Sequence, residues 1–343
     1  MIQGDNAELK RLTENAKKEI PLEKWGPYLS ERQWGTVRED YSTNGDAWNY
    51  FPHDHARSRV YRWGEDGLGG ISDINQHLCF AVALWNGKDP ILKERLFGLG
   101  NVEGNHGEDV KELYYYLDNL PTHYYIKYLY KYPQHEYPYL DLLQQNKNRN
   151  RHEPEYEILD TGVFNDDKYF DVYIEYAKKD SEDIFIKIEA VNRGNEKAPI
   201  SILPTLWFYN NWQYEGEKNK PSINFVTNQS VIAQHHSLGL YYLYFQPTDE
   251  VLFTENETNF EKLYDRPNTS EFVKDAFHYA IISGKELEKL REKKSGTKCS
   301  PVYHFEIEPR QSQSIFLRLS NKKNDDPFPK GFDEIFLTRK KEA

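Results

Sequence analysis

The sequence predicts a mainly β chain, with antiparallel sheets packed as a large sandwich and short helices at the termini. Three observations predict it. Segment after segment alternates apolar and polar residues, as in KYFDVYIEYAK (168–178), where Phe170, Val172, Ile174 and Tyr176 share one face. Gly, Pro, Asn and charged turns separate these segments at short intervals. Long helical patterns are confined to the ends and to KELEKLREKK (285–294), so no helices stand between the strands to build a doubly wound parallel sheet.

Taken in order, DNAELKRLTENAKK (5–18) reads as a short, solvated helix, with Asp5 or Asn6 as its cap and Leu9 and Leu12 on one side. LCFAVALW (78–85), the Asn86-Gly87 pair and ILKERLFGL (91–99) predict a hairpin, because Asn-Gly suits left-handed turn positions. LYYYLDNLP and THYYIKYLYKYP are tyrosine-rich strands broken by Asn119, Pro121 and Pro133. YLDLLQQNKNR (139–149) reads as one helical turn or two. IFIKIEAVNRG then places Ile184, Ile186, Ile188 and Ala190 on a common face. Further strands are expected in ISILPTLWFYN, INFVT, SVIAQHH, LYYLYFQ, VLFT, FHYAIISG, YHFEIE and SIFLRLS. The segment DDPFPKGFDEIFLTRKKEA starts like a helix through Asp333, Glu334, Ile335 and Leu337, then stops without a glycine cap, as if unfinished.

Composition narrows the function. The 343 residues are enough for a substantial core, and 26 Tyr and 18 Phe imply burial through amphipathic rings. Acids outnumber bases, 55 to 44, which argues against nucleic acid or anionic lipid as partner and suits a neutral one such as a carbohydrate. The start, MIQGDNAELKR, has no signal-like apolar run, and no segment approaches a membrane span, so a cytoplasmic location is expected. Cys79 and Cys299 are read as reduced, and the sequons at Asn228, Asn256 and Asn268 as irrelevant outside a secretory pathway. No cofactor is implied.

Two stretches hold the chemistry. In YFPHDHARSRVYRWGEDG (50–67), His53 and His55 would share a strand face, yet H-x-H without a second spaced cluster is a weak metal signal, and none is assigned. The same stretch offers Asp54, Arg57, Arg59, Glu65 and Asp66 beside Trp48 and Trp63, an inventory suited to a sugar subsite. An ion-pair network fixing a long loop is the plainer reading. WGEDGLGG (63–70) lacks a following Lys-Ser/Thr and reads as turns that let backbone pass closely. NVEGNHGEDVKE (101–112) carries Glu103, Asn105, His106, Glu108 and Asp109 on a glycine-bent segment; neighbouring Glu108 and Asp109 would point oppositely, so substrate positioning or loop structure is favoured over an acid–base pair. In TLWFYNNWQY (205–214), Trp207 or Trp212 could form an exposed platform, although most of the run reads as core.

The words of 50–73, 78–134, 153–178 and LPTLWFYNNW (203–212) resemble the amino-terminal region of bacterial glucosidases of the glycoside hydrolase family 63 type, the mannosyl-oligosaccharide glucosidase family. The resemblance runs from about Trp34 onward. It implies a super-β-sandwich over residues 41–322, preceded by a lead-in at 1–40 and followed at 323–343 by the start of a helical linker to an (α/α)6 barrel. Family members are inverting α-glucosidases whose acid and base lie in that barrel, so the resemblance assigns no catalytic residue here. The expected partners are the barrel and an oligosaccharide substrate. An autonomous carbohydrate-binding module or a protein-interaction domain is the alternative.

Overall fold

The structure of the protein, a computed structural model, describes residues 6–17, 24–28, 53–60, 66–99, 109–150, 152–215 and 219–342. Strands β1 (Trp25–Pro27), β2 (Leu68–Asp73) and β3 (Leu78–Trp85) open a first sheet, and the short β4 (Gly98–Leu99) and β5 (Asp109–Val110) pair with each other. β6 (Tyr114–Asn119), β7 (Tyr125–Pro133), β8 (Tyr169–Asp180) and β9 (Asp183–Asn192) form a meander in a second sheet. β10 (Ala198–Phe208) returns to the first sheet, and β11 (Ser222–Thr227), β12 (Ser230–His235) and β13 (Gly239–Phe245) belong to the second. β14 (Val251–Thr254), β16 (Lys298–Pro301) and β17 (Tyr303–Ile307) complete the first; β15 (Ser295–Gly296) and β18 (Ser312–Ser320) complete the second.

The first sheet runs β1-β2-β3-β10-β16-β14, with β17 alongside the first half of β10. The second runs β15-β11-β12-β13-β18-β9-β8-β7-β6. Pairing is antiparallel throughout, as the sequence predicts. The inner faces meet in a core of Phe80, Val82, Ile200 and Ile202 with Val172, Ile174, Ile186, Ile188, Leu317 and Leu319. The alternation seen in β8 and β9 is therefore the inner face of the second sheet.

Seven helices are relevant: α1 (Ala7–Ala16), α2 (His53–Ala56), α3 (Tyr139–Asn148), α4 (Phe260–Tyr264), α5 (Ala276–Ser283), α6 (Leu287–Glu292) and α7 (Phe332–Glu342). Helix α5 corrects the strand expected at FHYAIISG. Its Phe277, Ala280 and Ile281, spaced i, i+3, i+4, cover Ala83, Leu203, Leu252 and Val302 on the outer face of the first sheet. A fully apolar run fits either a buried helix or a strand, and only the sheet beneath decides. This covering also explains why β3 and β10 are buried on both faces.

Other expectations need smaller corrections. Asn6 caps α1 by accepting from Glu8 N and Leu9 N, both at 3.0 Å. Leu9 and Leu12 are exposed, and α1 docks through Glu8, which accepts from Thr122 N and Oγ1 at 2.8 Å. After Asn86-Gly87 the return arm pairs with β3 at a single bridge, Leu84 with Lys93, so the hairpin is truncated. Gly87 has φ +77, and Asn86 Oδ1 accepts from Lys88 N and Asp89 N, so the turn itself forms as Asn-Gly predicts. YLDLLQQNKN makes a ten-residue helix, longer than expected. Cys79 and Cys299 are buried, free thiols on strands flanking β10, opposite Trp207 and Leu206 respectively. Two strand spacings of about 4.8 Å separate them, beyond the reach of a disulfide. Among the described residues no helix is long and apolar enough to cross a membrane.

Candidate functional site

The site grows from the close approach of β2 and β3. Gly67, at φ +94, brings backbone so near Ala81 that a Cβ there would lie 2.1 Å from the alanine Cβ, and Gly70 lies under the Tyr28 ring. This is the close backbone passage expected of WGEDGLGG. Tyr28 OH donates to Asp66 O at 2.6 Å, which fixes Asp66 at the mouth of β2.

Around Asp66 the chain gathers charges from distant segments. Arg95 Nε donates to Asp66 Oδ1 at 2.8 Å, and Lys274 Nζ lies 2.6 Å from Asp66 Oδ2. Arg95 also pairs with Glu94 at 3.2 Å, whose other oxygen takes Lys298 Nζ at 3.0 Å. The three cations are all buried. Burial pushes the Asp66 carboxyl up, but Arg95 and then Lys274 outweigh it and hold the group below its ordinary range. Glu94 is likewise pushed up by burial and pulled below its ordinary range by Lys298 and Arg95. Both carboxylates are therefore ionised and committed to cations. A general acid needs the opposite environment.

Lys274 does a second job. Its ammonium donates to Arg59 O at 2.6 Å and to Ala56 O at 3.3 Å, so it staples the end of α2 to Asp66. Ser58 Oγ donates to Asp275 Oδ2 at 2.6 Å, and Val60 N to Thr258 Oγ1 at 3.1 Å, extending the latch along 58–60. The sequence stretch singled out for its charge density is thus tied at 56–60 and at Asp66 to residues 258–275.

His53 and His55 lie on a helical turn, not a strand. An i, i+2 spacing on a helix turns the second ring to the far side, so His53 is buried while His55 is exposed, and they cannot chelate one ion together. His53 packs edge-on against Phe97 and stacked on Tyr139, with ring centroids 5.1 and 5.7 Å away. Burial, then the fields of Arg95, Lys93 and Arg57, hold its imidazole well below the ordinary value, so it is neutral. Asp54 is exposed and pairs with Arg57.

Trp207 and Trp212 are both buried, which removes them as platforms. Trp207, Asp66, Glu94, Thr205, Asn256 and Lys298 enclose a cavity of about 20 Å³, room for about one water and too small for a sugar ring. Asp109 lies in β5, opposite Leu99. Trp48, Trp63, Glu65, Glu103, Asn105, His106 and Glu108 fall outside the described residues. The structure therefore brings together His53, Asp54, Arg57, Arg59 and Asp66, and adds Glu94, Arg95, Lys274 and Lys298, which sequence reasoning missed. One signal was available for two of these: Lys93-Glu94-Arg95 interrupts an apolar run, and charges inside such a run must be paired when it is buried.

Two other buried imidazoles give a pH prediction. His278 accepts from Leu92 N at 3.2 Å and, through burial first and then Arg57, is lowered to about 4 from 6.5. His235 is stacked 4.6 Å from His77 and lowered, by burial first, to about 4 as well. The unfolded chain takes up these protons below its own value near 6.5, while the folded chain does not until near 4. Stability is accordingly complete above that range and falls as pH drops through it, by up to about 3 kcal/mol for His278 alone. Urea midpoints measured across this window should fall in the wild type and fall less steeply in His278→Asn, which keeps His235; a flat wild-type profile contradicts the assignment.

No family model matches the chain. The uncharacterized protein YMR196W of Saccharomyces cerevisiae is 42% identical over 382 residues, taking in 98% of this chain and 35% of the yeast protein. The chain thus spans about a third of the length of the curated relative it matches. Among solved structures, a polysaccharide lyase shows a TM-score of 0.31 at 12% identity, covering 76% of this chain and 28% of that one. A protein described as a kojibiose phosphorylase from the human microbiome shows 0.30 at 10% identity, covering 86% of this chain and 34% of that one. Likeness at these scores carries no residue across.

Proposed function

We propose that this chain is the non-catalytic sandwich domain of a glycosidase of the family 63 type, which supports an (α/α)6 barrel and lends loop residues to its sugar site. In this reading residues 41–322 are the sandwich and 323–343 begin the linker, and the working location is the cytoplasm. One observation carries it. Asp66 and Glu94, the paired carboxylates at the candidate site, are each saturated by buried cations and held below their ordinary range, which suits a rigid scaffold and not proton transfer. The length of the yeast relative beyond the shared segment supports the same reading, since it leaves room for a further domain. So does the latch through Lys274, which makes α2 and residues 57–60 a preformed surface.

The test is direct. Incubated alone with maltose-type substrates and nitrophenyl α-glucosides, the chain should release no glucose, and mixing it with a separately expressed barrel should restore both complex formation and hydrolysis. Robust turnover by the chain alone, abolished by substitution of Glu103 or Glu108, would falsify the proposal.

A further inference from the structure

The outgrowth formed by α4, the loop after it, α5 and the start of α6 encloses a cleft of about 470 Å³. That lies within the range of about 300–1,000 Å³ usual for small-ligand sites, and it is separate from the small cavity at Asp66. Tyr279 supplies a half-buried ring to its wall, and Glu261, Lys285 and Glu286 supply charged groups. Several polar groups on the wall are already engaged in holding the loop. Asn268 Oδ1 accepts from Phe260 N at 2.7 Å, Asp275 takes Ser58 and Asn259 on its two oxygens, and Thr269 donates to Glu257. The frame is thus rigid before any ligand arrives.

What remains free selects the ligand. The Glu261 carboxylate has no hydrogen bond or ion pair among the described residues, and the Lys285 ammonium rests 5.5 Å from the Tyr279 ring. Lys289 bridges Glu271 and Glu286 at 3.2 and 3.3 Å, so the wall, with Glu261 and Asp275 besides, keeps a surplus of carboxylates over the ammonium of Lys285. Arg57 hydrogen-bonds Tyr279 from outside the lining and helps to hold its ring in place. Such a surface has one unspent carboxylate and one ammonium close to an aromatic face. Polar walls refuse an apolar ligand, and the surplus of carboxylates turns away a polyanion. A polyhydroxylated molecule satisfies all three features, through diols on the carboxylate and ammonium and C–H faces on the ring.

We propose that this cleft is a second, non-catalytic binding site for a neutral oligosaccharide. It goes beyond a scaffold role, because it operates without the barrel. Saturation-transfer NMR and calorimetry on the full chain, with maltotriose and mannotriose as probes, should detect millimolar or tighter binding to the wild type. Glu261→Ala, on the exposed side of the cleft, should weaken it about tenfold, the equivalent of one lost charge-assisted hydrogen bond, and Tyr279→Ala should abolish saturation transfer. Should Tyr279→Ala fail to fold, Glu261→Ala and Lys285→Ala still decide the matter. Silence from both sugars, binding untouched by the variants, or occupation of the cleft by a trilysine peptide or inorganic phosphate in their place overturns the inference. Glucose release by the chain alone, which bears on the scaffold reading, is scored separately.

Discussion

Lys274→Met is expected to lower stability by about 3–5 kcal/mol, the usual cost of removing one partner from a buried ion pair. Three bonds disappear together. Asp66 loses its closest cation, and the carbonyls of Ala56 and Arg59 lose their donor. Methionine fills the space of the lysine stem without supplying a charge, so the loss is electrostatic and not a cavity effect. In thermal unfolding the midpoint should drop on the order of 10 °C, at about 2–4 °C per kcal/mol. Hydrogen exchange should quicken first at 56–60, the segment the ammonium holds. Asp66 keeps Arg95, so adding Asp66→Asn should cost less in this background than in the wild type, as expected of two residues that share one ion pair. A midpoint within a degree or two of the wild type in Lys274→Met alone removes the staple from the account.

Gly67→Ala should cost about 2–5 kcal/mol, from two sources that can be separated. At φ +94 an L side chain is strained whatever space it finds, and the space is already taken by the Ala81 Cβ at 2.1 Å. Replacing Ala81 with Gly as well removes the clash and leaves the torsional strain. The double variant Gly67→Ala/Ala81→Gly is therefore expected between the single variant and the wild type in a urea titration. Full recovery means that the backbone there is unstrained, and no recovery means that strain dominates and the contact is incidental.

The legible parts of the fold were those where one chemical pattern has one structural solution. β8 and β9 announce themselves because alternate residues face a core and water in turn, and Asn86-Gly87 because few other pairs accept that turn. α5 was hidden because a helix covered on several sides by apolar neighbours shows no polar stripe, so AFHYAIIS looks the same as a buried strand. The site was half legible for a different reason. Residues 53–66 declare their charge density locally, whereas Lys274 reaches Asp66 and Lys298 reaches Glu94 across more than 200 positions of sequence, and no local pattern records which distant cation a carboxylate will meet. His53 shows the same limit from the other side: its pairing with His55 depended on a strand, and the single turn of α2 sent the rings apart.

The contact between α1 and α7 ties together two distant parts of the chain. Arg11 of α1 reaches both Glu8 and Glu342, Arg339 of α7 donates to Lys178 O at 2.8 Å, and both arginines lie over the ring of Tyr124. Residues more than 300 positions apart in sequence therefore sit side by side on one flank of the second sheet. The two helices are thereby braced as one unit around Tyr124, so that loosening either frees the other.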